Sequence, residues 1–249
     1  MTGCGDASVQ QETSEVTSSE TENSVTDLSV TESSVTEADV SEEVKDGFVL
    51  IDGIQYEVGS EELYLCVTKL TESDIESLLK MENLTDLTLT ETALSDIDFL
   101  TGLPKLKTLT IYFGNIEDCS ALGNMTTLET LRIRATVVQD YSPFAGLADT
   151  GVTDLDLGEG CIDDLTPLSG LTGLEKLYLD HSDLPEDLSP LCNLTNLEIL
   201  DLSYTNVADV TALSGMTNLE KLDLSYTDAA EEDIEALRQA LPDCEIFFE

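Results

Sequence analysis

From Leu84 onward, apolar residues recur in one short pattern, two Leu three apart and a third two further on, as in Leu84, Leu87 and Leu89. The alternation of the last two predicts a short strand whose apolar side chains face a core while their neighbours face out. The pattern restarts at Leu106, Leu128, Val152, Leu174, Leu197 and Leu219, at spacings of 22, 22, 24, 22, 23 and 22 residues. Its clearest copy lies over 194–227, where Leu197, Leu200, Leu202 and Thr205 return as Leu219, Leu222, Leu224 and Thr227. A fixed period of this kind marks a solenoid, in which each unit buries its apolar side only against its neighbours. Strands stacked side by side then make a parallel sheet. The return segments, such as Asp164-Leu165-Thr166-Pro167-Leu168, are too short and too rich in Pro and Gly for a long helix, which predicts short 3-10 turns.

The two ends depart from the period in the way solenoid caps do. Stretches 48–51 and 54–58 flank Asp52-Gly53, a strong hairpin signal, and the hairpin is expected to cover the first open end of the core. A helix follows, with Thr71 or Ser73 as its N-cap and Ile75, Leu78 and Leu79 at helical spacing. At the far end 231–240 reads as a helix with Ile234 and Leu237 on one face and Asp228 as its cap, after which Leu241, Cys244 and Ile246 restore the strand spacing. The extra residues of the longer repeats, near 148–151 and 185–187, are turn-rich and are expected in surface loops.

Residues 1–46 break the pattern entirely. Residues 5–46 hold twelve Asp or Glu, many Ser and Thr, one Lys and no aromatic, with Val-Thr pairs at 25, 30 and 35. So few large apolar groups cannot offset the entropy of ordering, which predicts a charge-extended tether, an inert leader being the rival reading. Thr2-Gly3-Cys4 resembles the end of a bacterial lipoprotein signal, which implies a lipid on Cys4 and an extracellular module anchored to the bacterial surface. The two regions are therefore a tether, 1–46, and a repeat domain, 47–249.

Charge narrows the partners. Fifty-two acidic residues against ten basic give a net charge of -42, which repels nucleic acid and anionic lipid and favours partners of basic character. No apolar run approaches the roughly 18 residues of a membrane span, so membrane contact is expected only through the lipid. The cysteines at 4, 66, 119, 161, 192 and 244 are scattered and His181 is the single His, which excludes zinc spacings and gives no disulfide framework. Cys119 and Cys244 occupy apolar positions, as small hydrophobes.

The stretches LTGLEKLYL at 171–179, DLTPLSGLTGL at 164–174 and LTNLEILDLSYTNVADVTALSGMTNL at 194–219 resemble the internalin-like class of bacterial leucine-rich repeats with a 22-residue unit. The resemblance covers about four fifths of the chain and implies an α/β solenoid. That solenoid has a parallel concave β-sheet, a convex side of 3-10 turns and loops, a hairpin-plus-helix cap and a C-terminal helix cap, about eight units in all. It also implies a monomeric surface module that binds a protein or glycan on its concave face. One departure stands out: the inward Asn of the class is replaced by Thr92, Gly114, Thr136, Gly160, Ser182, Thr205 and Thr227. Hydroxyls there still reach neighbouring backbone, but less completely than an amide.

Aligned repeats place outward residues in columns about 4.8 Å apart. The central column reads Tyr64, Thr88, Thr110, Arg132, Asp156, Tyr178, Asp201, Asp223 and Glu245; the next reads Cys66, Thr90, Tyr112, Arg134, Gly158, Asp180, Ser203, Ser225 and Phe247. Beside them run Glu91, Phe113, Ala135, Glu159, His181, Tyr204 and Tyr226. Tyr112, Phe113, Arg132 and Arg134 form one candidate ligand-binding cluster, since aromatics and Arg are enriched at binding hot spots. A plain cross-strand pair of Arg132 with Asp156 is the bland alternative. Tyr178, His181, Tyr204 and Tyr226 form a second candidate cluster. Asp201 and Asp223, with Glu245 beyond, could act as acid and base or hold Ca²⁺, but a flat sheet offers no pocket to desolvate them. No triad or phosphate-loop signature is present, so neither an enzyme nor a cofactor is expected. The reading that competes with a binding module is an acidic spacer or coat protein without a specific ligand.

Overall fold

The computed structural model describes residues 47–249; the tether assigned to 1–46 and the lipidation assigned to Cys4 lie outside the described residues. Strands β1 (Phe48–Ile51) and β2 (Ile54–Glu57) form the expected antiparallel hairpin. Asp52 and Gly53 carry φ of 51° and 72°, the two positive values that a two-residue hairpin turn requires. Val49 and Ile51 are buried in the core, and β1 packs against helix α1 (Glu72–Leu78), which follows β3 (Glu62–Cys66). Of the two N-cap candidates the structure uses Thr71: its hydroxyl accepts the Asp74 N–H at 3.2 Å, and Asp74 accepts the Thr71 N–H at 2.9 Å. Asp74 also accepts the Asp52 N–H at 2.8 Å, so one carboxylate fastens the hairpin turn to the helix start. Burial alone would raise the Asp74 pKa; the hydrogen bonds from Thr71 and Asp52 outweigh it and hold the group below its ordinary value.

The regular repeats follow as β4 (Asp86–Thr90), β5 (Ala93–Asp96), β6 (Thr108–Tyr112), β7 (Asn115–Asp118), β8 (Thr130–Arg134) and β9 (Val137–Val138), then β10 (Asp154–Asp156), β11 (Lys176–Tyr178), β12 (Ile199–Asp201) and β13 (Lys221–Asp223). Helix α2 (Glu231–Ala240) and β14 (Glu245–Phe247) close the domain. Among the described residues nine strands form one sheet in the order β14-β13-β12-β11-β10-β8-β6-β4-β3, every pair parallel. Register follows the repeat: Leu87 pairs with Leu109, Leu109 with Leu131, and so on to Leu200 with Leu222. These inward residues are all 0% exposed, which is how a one-sided stripe of Leu becomes a continuous core.

Five details differ from expectation. The return path begins with strands, not only turns: β5, β7 and β9 form a second parallel sheet, where Leu94, Ile116 and Val138 favour extended backbone. Past β9 the ladder thins to a single bridge between Cys161 and Asp183. The 3-10 segments beyond it include an eight-residue one, Ser142–Asp149, so Ala148 and Asp149 end a helical turn instead of lying in a loop, and Thr150 caps it by donating its hydroxyl to the Leu147 carbonyl at 2.7 Å. Helix α2 has the expected bounds, but Asp228 does not cap it: the N-cap is Ala230, and the Asp228 N–H donates to the Val207 carbonyl at 2.9 Å. Finally, Glu245 is not in the central column. It pairs with Lys221, which puts Phe247 beside Asp223.

Of the hydroxyls in place of Asn, those of Thr92, Thr136 and Ser182 bridge turns, whereas Thr205 and Thr227 donate within their own turn, to the Leu202 carbonyl at 2.6 Å and the Leu224 carbonyl at 2.8 Å. Thr92 donates to the Val67 carbonyl at 2.7 Å, and the Gly114 and Gly160 N–H groups donate to Thr136 at 3.2 Å and Ser182 at 3.1 Å. A further ladder was not anticipated. Asp118, Asp140, Asp164 and Asp187 each accept the backbone N–H two residues on at 2.8 Å, and each opens a 3-10 segment.

Candidate binding surface

Strand register sets the exposed face of the nine-stranded sheet. Its central column runs Tyr64, Thr88, Thr110, Arg132, Asp156, Tyr178, Asp201, Asp223 and Phe247, each paired with the next. The neighbouring column brings Tyr112 beside Arg134. The third set is not strand at all. Glu91, Phe113, Ala135, Glu159, His181, Tyr204 and Tyr226 all have φ between 48° and 59°, a left-handed backbone that bulky residues seldom adopt. Each is held there by its N–H, which donates to the carbonyl of the next repeat, from Glu91 to Tyr112 at 2.9 Å through Tyr204 to Ser225 at 2.9 Å.

Arg134 is the hub. It forks onto Asp180, Nη1 to Oδ1 at 2.9 Å and Nη2 to Oδ2 at 2.7 Å, and also reaches Asp156 at 2.9 Å and Glu159 at 3.3 Å. Gly158 makes this reach possible. A Cβ there would stand 2.6 Å from Arg134 Nη1 and 2.8 Å from Asp180 Oδ1. The alternative pair of Arg132 with Asp156 does not form; Arg132 instead bonds Asp154 at 3.2 Å, because Asp156 turns toward Arg134. Asp154 Oδ1 is buried with no hydrogen-bond partner.

Burial and the Arg134 guanidinium pull the acidities of Asp180 and Asp156 in opposite directions. The bond to Asp180 leads in binding the Arg134 proton more tightly than usual. Burial would raise Asp180, yet its bonds from Arg134 and His181 hold it below the ordinary value. Asp156 moves the other way: burial raises it, and the bonds from the Gly158 N–H and Arg134 offset only part.

The network continues into the aromatic set. His181 Nδ1 lies 3.1 Å from Asp180 Oδ2, the His181 and Tyr204 rings stack at 4.3 Å, and Tyr204 stacks on Tyr226 at 4.5 Å. The two clusters read from sequence are thus joined through Asp180. Tyr178 lies outside that stack, in the central column. Tyr112 and Phe113 meet at 6.3 Å, tilted by 38°, with Phe113 65% exposed. Asp201 and Asp223 are direct neighbours, and among the described residues neither has a cationic partner. Each instead accepts a backbone N–H two residues on, from Ser203 at 3.0 Å and Ser225 at 3.1 Å. Among the described residues no group of three His, Cys, Asp or Glu is placed to hold a metal ion, and no helix is long and apolar enough to cross a membrane. Cys66, Cys119, Cys161, Cys192 and Cys244 are free thiols. Burial pushes the Cys119 thiol up to about 11.

A parallel sheet gaining one strand per repeat, backed by 3-10 turns and closed by unlike caps, is the fold of a leucine-rich-repeat solenoid. The family described as Leucine Rich repeats (2 copies) matches residues 195–239. No curated protein matches the sequence significantly. Among solved structures, the internalin InlF of Listeria monocytogenes is 22% identical at a TM-score of 0.55, over 71% of this chain and 66% of that one. Internalin C2 of the same organism is 24% identical at 0.64, over 76% of this chain and 80% of that one. The complex of TLR13 with ssRNA13 is 22% identical at 0.61, over 76% of this chain and 29% of that one. This chain therefore spans just under two thirds of InlF and less than a third of TLR13. At these identities the likeness is one of fold.

Proposed function

We propose that the chain is a non-enzymatic binding module that recognises a protein partner of basic character through the exposed, concave face of its sheet. It is held at a bacterial cell surface by residues 5–46 and a lipid on Cys4. The observation that carries the reading is the continuous row from Arg134 through Asp180 and His181 to Tyr204 and Tyr226, whose two tyrosines are 50% and 57% exposed. In this reading Arg132, Tyr112, Phe113, Tyr178, Tyr204 and Tyr226 touch the partner, while Arg134 and His181 position the row. The unneutralised Asp201 and Asp223 beside it favour a cationic group. At Tyr204 a protein is preferred over a glycan, because His181 and Tyr226 stack on the ring where a sugar would. The TLR13 complex holds RNA on this fold, but a net charge of -42 argues against such a ligand here.

The test is a binding screen against extracellular proteins, repeated with Arg132→Glu and Tyr204→Ala. A ligand whose affinity neither change weakens removes the assignment of the sheet face. Anchoring is tested separately, by labelled fatty acid in the full-length protein; labelling unchanged in Cys4→Ala contradicts it.

A further inference from the structure

The second sheet stops at β5 for a reason that leaves a vacancy. In later repeats the chain leaves the large sheet and runs as a strand beside its predecessor, β7 on β5 and β9 on β7. In the first repeat it turns after Thr68 into α1, so among the described residues the place of a strand before β5 is not filled by one. The Ala93 N–H points away from β7 and donates to the Thr68 carbonyl at 3.2 Å. By the two-residue period of a strand the exposed Ser95 turns its N–H the same way. Beyond that bond the edge of β5 borders a cavity of about 350 Å³, within the range of ligand sites. Leu70, Ile75 and Phe99 supply its apolar lining, and Lys69, Asp96 and Glu117 its charges.

We propose that this slot binds an extended segment of a partner protein, with aliphatic and basic side chains in alternation, which adds to β5 as a further strand. The free edge offers main-chain hydrogen bonds, the recognised basis of strand addition. Aliphatic side chains on one face of the added strand cover Leu70, Ile75 and Phe99. By strand alternation Asp96 shares the Leu94 face, while Glu117 lies with Ala93, Ser95 and Asn115 on the other; basic side chains on that outer face meet Glu117, in a protein of net charge -42. The slot lies apart from the exposed sheet face and does not depend on it.

The test uses the full chain and the probe peptide acetyl-Lys-Val-Lys-Val-Lys-amide, followed by amide hydrogen exchange and chemical shifts. Binding slows exchange of the Ser95 amide severalfold and shifts Leu94, Ser95 and Glu117. Glu117→Lys, at an exposed position, weakens it roughly three- to tenfold. Ser95→Pro, tolerated at an outward edge position, abolishes it while leaving the other amides protected. Shifts confined to the sheet face overturn the proposal, as does equal binding of acetyl-Glu-Val-Glu-Val-Glu-amide. A Ser95 amide already protected in the free full-length chain overturns it too, because another segment then occupies the slot.

Discussion

Strands β3, β4 and β6 turn Tyr64, Thr88, Thr90, Thr110 and Tyr112 to the open side, while β8, β10, β12 and β13 turn out Arg132, Arg134, Asp154, Asp156, Asp201 and Asp223. Behind both halves the buried side is the same column of Leu and Ile. The hydroxyl half satisfies itself with neighbouring hydroxyls and carbonyls, as where the Thr90 hydroxyl lies 3.2 Å from the Tyr64 hydroxyl and 3.3 Å from the Leu65 carbonyl. The charged half cannot. A half-buried guanidinium needs carboxylates to offset its desolvation, and Arg134 finds them on β10, just past its end at Glu159, and at Asp180 beyond β11. The lesson is that the scaffold tolerates either solution, so the outward residues are free to vary without disturbing the core.

The largest expected effect tests the shared scaffold. Leu87→Ala in the hydroxyl half and Leu200→Ala in the charged half should each cost about 2–5 kcal/mol by denaturant unfolding. A loss confined to one half would show that the scaffold is not equivalent. Next comes Gly158→Ala, which drives a methyl into the Arg134–Asp180 pair and should cost roughly 1–3 kcal/mol, against about 0.5 for Thr88→Ala. Equal costs at the two sites would deny the bridge its role.

Acid titration separates the halves further. Asp180 is held lower in the folded than in the unfolded chain, so its stabilisation is complete above the ordinary carboxylate range and is lost as pH falls through the folded value. Asp180→Asn should therefore flatten the loss of stability below about pH 4, whereas Thr90→Val leaves that limb unchanged. Asp156, raised by burial, works in the opposite sense and partly masks the effect in the wild-type protein. Smaller effects belong to the exposed tyrosines: Tyr204→Ala, which loses two ring contacts, should destabilise less than Gly158→Ala by denaturant unfolding. Tyr226→Ala, which loses one contact, should cost less.

The repeat period made most of this fold legible. The period-two alternation of Leu87 with Leu89 specifies which face is buried, and register follows from stacking like on like. Cap chemistry was legible where a side chain does the capping, as at Thr71, and failed at Asp228, where the helix starts without one. The β14 register failed because the apolar residues of Leu-Pro-Asp-Cys-Glu-Ile-Phe-Phe can be aligned in two frames, two residues apart, and backbone bonds select one: the Glu245 N–H to the Glu220 carbonyl at 2.8 Å and the Leu224 N–H to the Phe247 carbonyl at 2.9 Å. The site was half legible. Columns gave the neighbours of Arg132 and Arg134, but not that Arg134 would skip a column position. The signal was Gly158, a missing side chain between an Arg and an Asp. Left-handed backbone at seven successive repeats has no signature in residues as unlike as Glu, Ala, His and Tyr; backbone pairing imposes it.

The most direct measurement of the central claim is the affinity of a partner from the extracellular screen for two double variants, Tyr204→Ala with Tyr226→Ala and Thr88→Ala with Thr110→Ala. The account predicts a loss of about tenfold or more for the tyrosine pair and little change for the threonine pair. Loss confined to the threonine pair, with the tyrosine pair at full affinity, would contradict it.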